Sequence, residues 1–564
     1  MIKKLFTKFF LTLSLFAAEI EQINFSGDVD LVIGDFSREN LLKVCNISYP
    51  PFYKIWQDNP TFSQYDIVVC SESIEEYAQS LGFYKADISY AIENKIAQIH
   101  IKKNNPILIN SITIDKEYAS LINIKEKGFF NTVDFSNSKK AIREYLNQTG
   151  YPKAELDAKA YVDIDNYQVD ISYQVTKNSP QYFGKITIDN DADVDLEYIE
   201  KEIKFKEGEL YNSLLIDETY EGLYNFGIYK YISLEHNLDG NDNNTMPVNI
   251  KLLKGSYRET SYSLGYDTDS GGRFKAEYKN DNFFGNLKKL SIGTRVNQDG
   301  YNIYNNFYIP YFVFDGVSLK NELKYEDMDY ESYSQEKIEE KIYLSKKIFG
   351  LTNSIGFLSQ NSQIRSELEE YANGTYLLNS VFFNTVLDAR DSSISPKNGY
   401  YLSFYIENGT KALASEEDYI KTLTEFRYIK TFDKLSASIK TKVGTLDKDL
   451  PIFKHFFAGG DYSNRGYTYQ NVGLKDPDNN PYGGLSMIDN SLEFEYNVYK
   501  DIGIATFFDS TMLSLKPNNF SEKFYNSVGL GARYYTPIGP LRVDLGFPLK
   551  EGGFVFHIGI GQVF

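Results

Sequence analysis

The 564-residue sequence is short of the side chains on which most chemistry is built: two Cys, five Met, one Trp and four His. The histidines, His100, His236, His455 and His557, fall in separate segments without metal-ligand spacing, and each reads as a surface or turn residue. No phosphate-cradling P-loop, no G-x-S-x-G elbow and no cysteine paired with histidine occurs, so neither an enzyme nor a bound cofactor or metal is expected. The acidic turns Asp239-Gly240-Asn241-Asp242 and Asp476-Pro477-Asp478 read as solvated turns rather than Ca²⁺ sites. Basic residues are also scarce, 59 Lys and Arg against 77 Asp and Glu. The resulting net charge of −18 disfavours nucleic acid, whose phosphates reward cations.

Long apolar runs are missing as well. The opening reads as a signal peptide over residues 1–18: Lys3, Lys4 and Lys8 form a basic head, Phe9 to Phe16 a short apolar core, and Ala17 and Ala18 a cleavage site. Beyond it no stretch approaches the roughly 18 to 20 consecutive apolar residues of a transmembrane helix. A membrane span must then be a closed barrel, the other form that satisfies every backbone polar group in lipid. The 47 Tyr and 40 Phe suit one, because barrels hide their apolarity in alternation.

The first half repeats a pattern. Helical stretches run into a glycine at Leu81-Gly82-Phe83-Tyr84, Thr149-Gly150-Tyr151-Pro152 and Phe226-Gly227-Ile228-Tyr229, where glycine is the usual helix stop. In the second unit a strand (107–114) leads to helices at 116–121 and 136–148 and strands at 154–164 and 168–176. The third repeats the order with strand 183–188, helices 196–203 and 214–226, and strands 231–236 and 247–253. This order gives small α+β domains, each a three-stranded sheet backed by two helices, with an edge strand on which an extended peptide could pair. Cys45 and Cys70 lie in the first unit, as a disulfide if it meets an oxidising periplasm or as two buried thiols otherwise.

From Gly255 onward only period-2 runs remain. Tyr400, Leu402, Phe404 and Ile406 oppose Tyr401, Ser403, Tyr405 and Glu407; in Leu435 to Val443, apolar side chains oppose Ser and Lys. About sixteen such runs begin near Arg258, Gly272, Lys289, Asn302, Gly316, Glu336, Asn353, Tyr376, Tyr400, Tyr419, Leu435, Met487, Gly503, Ser527, Leu541 and Phe554. Apolar outside and polar inside is the arrangement of a transmembrane barrel. The expected fold is therefore α+β modules followed by an all-β 16-stranded antiparallel barrel.

Phe456 to Gln470 interrupts the alternation with Gly459-Gly460 and Arg465-Gly466-Tyr467. Glycines permit tight turns, and a guanidinium can fork onto a buried carboxylate, so the run suits a loop folded into the barrel; the alternative is an aromatic-rich extracellular turn. Alternation turns Asp509 inward opposite Ile504, Thr506 and Phe508, and turns Arg542 and Asp544 inward opposite Leu541, Val543 and Leu545. Asp509 is the first choice of partner for Arg465, with Asp544 and Glu493 or Glu495 as fallbacks.

These residues resemble the BamA/TamA superfamily of outer-membrane insertases, and within it the TamA branch. Phe456 to Gln470 resembles the family's sixth extracellular loop with its Arg-Gly-aromatic motif. Asp388-Ala389-Arg390-Asp391 with Pro396 and Gly399-Tyr400 resembles a signature around the eighth and ninth strands. Gly529 to Arg533, Thr536 to Pro540 and Leu541 to Asp544 resemble the last paired strands. The N-terminal units look like POTRA domains, placed at 19–103, 104–179 and 180–254 before a barrel at 255–564; three such units fit TamA.

The resemblance implies an outer-membrane translocation and assembly factor, its POTRA domains in the periplasm and its Arg465 loop bridged to Asp509. It further implies a TamB-like inner-membrane-anchored periplasmic partner, autotransporter or outer-membrane protein clients, and contact with outer-membrane lipid. It also implies a weakly paired seam between first and last strands. Gly559 and Gly561 would kink the terminal strand, which ends at Phe564; ordinary barrel closure is the alternative. Competing functions are a two-partner secretion transporter, a BamA-like general insertase and a passive porin.

Overall fold

A computed structural model describes residues 19–30, 34–50, 57–236, 244–499, 501–537, 539–561 and 564. The expected signal segment and the acidic turn at Asp239 to Asp242 lie outside them. The chain divides into two compact units, one built mainly from the N-terminal modules and one mainly from residues 252–564.

Three three-stranded sheets precede the barrel, and each places the strand that comes last in sequence at its centre. In the first, Ile96–Lys102 lies between Gln22–Gly27, which it pairs in parallel, and Asp87–Glu93. The second repeats this with Gln168–Thr176 between Leu108–Thr113 and Glu155–Asp163. The third sets Thr245–Lys254 between Tyr182–Asn190 and Tyr229–His236.

Local signals explain the helices. Helix Gln64–Ser80 opens on a capping box: Asp66 accepts the Ser63 amide at 2.7 Å, while the Ser63 hydroxyl accepts the Asp66 amide at 3.3 Å. Its buried stripe, Ile67, Cys70, Ser71, Ile74 and Ala78, has the three- and four-residue spacing of one helix face and packs on Ile99 and Ile101. Helix Thr132–Gln148 starts where Asn131 caps the Val133 amide and buries Ser138, Ile142 and Leu146. One expected element is corrected: 116–121 is no α-helix but a three-residue 3₁₀ turn, Ala119–Leu121. No side chain caps this turn at Tyr118, and Ile122 directly after it is extended, so the turn does not propagate.

The remaining strands form one 16-stranded antiparallel sheet in simple sequence order, from Arg258–Asp267 to Val555–Ile560. The alternation holds: Tyr400, Leu402 and Phe404 point out while Glu407 is buried, and Leu435, Ile439 and Val443 point out while Ser436, Ser438 and Lys440 are buried. Adjacent strands pair over long ladders, up to the sixteen residue pairs between Tyr333–Ile348 and Leu351–Ser366. First and last strands differ. Among the described residues they meet where the Thr268 amide donates to the Ile558 carbonyl at 3.2 Å and the Ile558 amide to the Thr268 hydroxyl at 3.3 Å.

Cys45 and Cys70 are joined by a disulfide across 25 positions, tying the segment after helix Arg38–Val44 to helix Gln64–Ser80. Closing a loop of that length restricts the unfolded chain by roughly 3 kcal/mol. Replacing both cysteines by serine is expected to make residues 19–103 the first site of cleavage in limited proteolysis of the folded chain, with the barrel still resistant. Equal resistance of both forms would assign the crosslink no stabilising role.

Candidate functional site in the barrel lumen

Between strands Leu435–Leu446 and Ser486–Tyr499 the chain makes its longest excursion, residues 447–485, and much of it is buried among inward-facing side chains. Gly459 and Gly460 adopt φ of 107° and 97°, left-handed values that turn the loop before its motif.

Arg465 is fully buried. Its guanidinium forks onto Asp509, Nε to Oδ2 at 2.9 Å and Nη2 to Oδ1 at 3.0 Å, and its own amide donates to the same carboxylate at 3.0 Å. Nη1 also reaches Glu493 at 2.5 Å and lies 3.7 Å from Asp544. Thus Asp509, Asp544 and Glu493 act together, where the sequence presented a first choice and fallbacks. Glu495 serves a different cation, Arg533, at 3.9 Å. The Arg465 guanidinium also lies 3.4 Å from the centre of the Phe507 ring, whose face supplies the aromatic side of a cation–π contact.

Two further arginines complete the cluster. Arg533 bridges Asp544 at 2.6 Å and Glu493 at 3.1 Å, and Arg542 bridges Asp461 at 2.7 Å and Asp544 at 3.3 Å. Desolvation makes such buried charges costly, and they are tolerable only because each has partners of opposite sign.

Glycines on the last strands make room for the loop. A side chain at Gly546 would strike the Arg465 carbonyl, and one at Gly559 would strike the Asp461 carboxylate. Gly466 is similarly closed in by Ser527. Gly559 therefore marks close approach by the loop tip. Gly561 has a φ of 101° and open space where a side chain would be. Tyr467 leans away from the cluster, its hydroxyl on Glu551 at 2.7 Å.

Two histidines require correction. His455 and His557 are buried, not surface residues. His557 Nε2 lies 3.0 Å from the Arg465 carbonyl, which can only accept, so this nitrogen carries the proton and donates. The signal was present in the alternation: His557 sits between outward-facing Phe556 and Ile558. His455 folds back on the Tyr482 and Leu450 carbonyls at 2.9 and 3.0 Å, inside the root of the loop. The neighbouring Lys454, unmarked in the sequence, pairs with buried Glu407 at 2.5 Å and anchors that root to the ninth barrel strand.

The Asp388 signature lies elsewhere, at the turn joining strands Gly374–Asp388 and Asn398–Gly409. Arg390 forks onto Asp388 at 2.9 and 2.8 Å and donates to the Phe564 carbonyl at 3.4 Å. Asp391 accepts the Lys397 and Asn398 amides and shapes the turn. These residues do not join the Arg465 cluster. No group of His, Cys, Asp or Glu arranged to hold a metal occurs among the described residues.

The Omp85 superfamily domain matches residues 282–564, half of the sequence. The chain belongs to the Omp85 superfamily. The POTRA family, described as a surface antigen variable number repeat, matches residues 108–178 and 181–255. This is an outer-membrane barrel with periplasmic N-terminal modules. Similar curated proteins are the outer membrane protein assembly factors BamA of Nitratidesulfovibrio vulgaris, 21% identical over 88% of this chain and 67% of that protein, and of Neorickettsia risticii, 22% identical over 76% and 61%. BamA of Neisseria meningitidis is 20% identical over 77% and 62%, so the chain spans about two thirds or less of the length of these relatives. Among solved structures, BamA from Haemophilus ducreyi lacking POTRA domains 1–3 shares the fold with a TM-score of 0.64, 19% identity, and 81% and 98% coverage of the two chains.

These findings overturn the TamA branch, because the similar curated proteins are BamA proteins. The TamA reading leaned on a count of three modules. Modules with separate cores in tandem can vary in number without disturbing the barrel, so their count is a poor guide to the branch. The expected TamB-like partner loses its support with that reading.

Arg465→Ala leaves Asp509 and Glu493 buried with fewer compensating charges, a change of the kind that costs about 3–5 kcal/mol. It should lower the temperature at which the folded barrel loses its fast mobility in semi-native electrophoresis, and Arg465→Lys should recover only part of the loss, because an ammonium cannot fork. Unchanged heat resistance of Arg465→Ala would mean that the cluster does not hold the barrel.

Proposed function

We propose that this protein is an outer-membrane assembly factor of the BamA type, which accepts unfolded outer-membrane β-barrel proteins in the periplasm and promotes their insertion. The observation that carries the reading is the seam. Beside the barrel's first strand, Arg258–Asp267, the described residues meet the last strand at Thr268 and Asp269, which reach Ile558 and His557 without forming a ladder, whereas its other edge pairs along all ten positions with Gly271–Asn280. A strand with one open edge is a template for an incoming strand. Its outward side chains Tyr262 and Leu264, 71% and 85% exposed, give that edge an apolar face suited to lipid.

The N-terminal modules support the same reading, since each three-stranded sheet leaves outer strands such as Glu155–Asp163 on which an extended client could pair. The relatives' description as assembly factors agrees. Autotransporters, being barrels at their membrane end, belong to the same client class. The Arg465 cluster holds the loop and the final strands in the geometry from which the seam works; Asp388, Arg390 and Asp391 shape a turn whose Arg390 donates to the Phe564 carbonyl.

The test is reconstitution of the full chain in liposomes, followed by addition of an unfolded outer-membrane barrel and measurement of its folding. The wild-type chain should accelerate folding over empty liposomes, and Arg465→Ala, reconstituted to the same level, should lose about tenfold of that rate. Steady conductance of uniform size without any acceleration would replace this reading with a passive porin.

A further inference from the structure

The loop tip touches both sides of the seam. On the side of the first strand, the Asp461 amide donates to Asp269 Oδ2 at 2.7 Å; Asp269 sits in the turn joining the first two strands. On the side of the last strands, the Asp461 carboxylate accepts from Arg542 at 2.7 Å, the Tyr462 hydroxyl donates to the Ile560 carbonyl at 3.1 Å, and His557 donates to the Arg465 carbonyl at 3.0 Å. His557 Nδ1 is also 3.5 Å from Asp269 Oδ1 and 3.4 Å from the Thr268 hydroxyl.

We propose that Asp269 is a positioning residue that staples the seam from inside: it tethers the first hairpin to the loop tip, while Asp461, Tyr462 and Arg465 tether that same tip to the last two strands. Two direct bonds between Thr268 and Ile558, with His557 close to Thr268 and Asp269, are a weak closure beside ladders of six to sixteen pairs. The loop supplies a second, indirect connection, held by one bond on the side of the first hairpin and three on the side of the last strands. The approach is close enough that a side chain at Gly460 would strike the Asp269 carboxylate. Loop and seam are thereby coupled: movement of the tip out of the lumen removes the Asp269 tether, and opening of the seam pulls Asp269 away from the Asp461 amide. The importance of this staple rests on the seam being the working edge, but the staple itself requires no client.

Hydrogen exchange on the full chain in detergent micelles tests it, read by mass spectrometry on peptides covering 258–270, 525–548 and 555–561. Asp269→Ala should speed exchange in the first and last of these by about tenfold and leave 525–548 unchanged. Asp269→Asn, whose side-chain oxygen still accepts from the Asp461 amide, should stay within about threefold of wild type. The proposal is overturned if Asp269→Ala exchanges like wild type at the seam, if the alanine and asparagine variants behave alike, or if protection is lost throughout the barrel. Because no client is present, a failed staple and a failed insertase reading give separate results.

Discussion

A guanidinium removed from water fixes much of this barrel's interior. Arg465 has no solvent contact, and its burial is tolerable only while Asp509, Glu493 and Asp544 stay within reach. Those carboxylates stand on three strands, Ser486–Tyr499, Ile502–Ser514 and Gly539–Pro548, so the position of one side chain constrains the relative placement of all three. Arg533 and Arg542 extend the network, and Asp544 touches all three guanidinium groups. Such a network specifies geometry more than it adds stability, because desolvation offsets much of its Coulomb gain. For a loop that must return to one place inside a wide lumen, specificity is the useful property.

Much of this was legible. Period-2 alternation located the strands because lipid outside and a polar lumen inside demand opposite side chains at successive positions. The same rule turned Asp509, Arg542 and Asp544 inward. It also contained the burial of His557, between Phe556 and Ile558, but the scarcity of histidine drew attention to metal spacing instead. Lys454 and Glu407 were less accessible. Glu407 lay on a recognised polar face, yet its partner is 47 positions away in an irregular loop, and no periodicity connects the two. The convergence of several carboxylates on one arginine was likewise hidden, since alternation gives the facing of each side chain and not the register between strands.

Family branch was the least legible property. The barrel motifs pointed to a superfamily because buried charges and close-packed glycines leave few substitutions open. Module number carries no comparable constraint: each small domain has its own core, such as Ile67, Ile74, Ile99 and Ile101 in the first, and can be gained or lost alone.

The glycines connect these observations. In an ordinary strand, residues without side chains weaken the sheet. Here Gly546 and Gly559 face inward where a loop backbone and a carboxylate fill the vacated space, and Gly529 accommodates the Phe507 ring on which Arg465 rests. The final strands therefore depend on the loop for the packing that their own side chains do not supply. At the seam, where the ladder is shortest, the same dependence is strongest: Ile560 and His557 reach the loop directly, and the first hairpin reaches it through Asp269. A barrel closed by a full ladder would be indifferent to its loop, whereas this one couples the position of a single inward-folded segment to the integrity of its weakest junction.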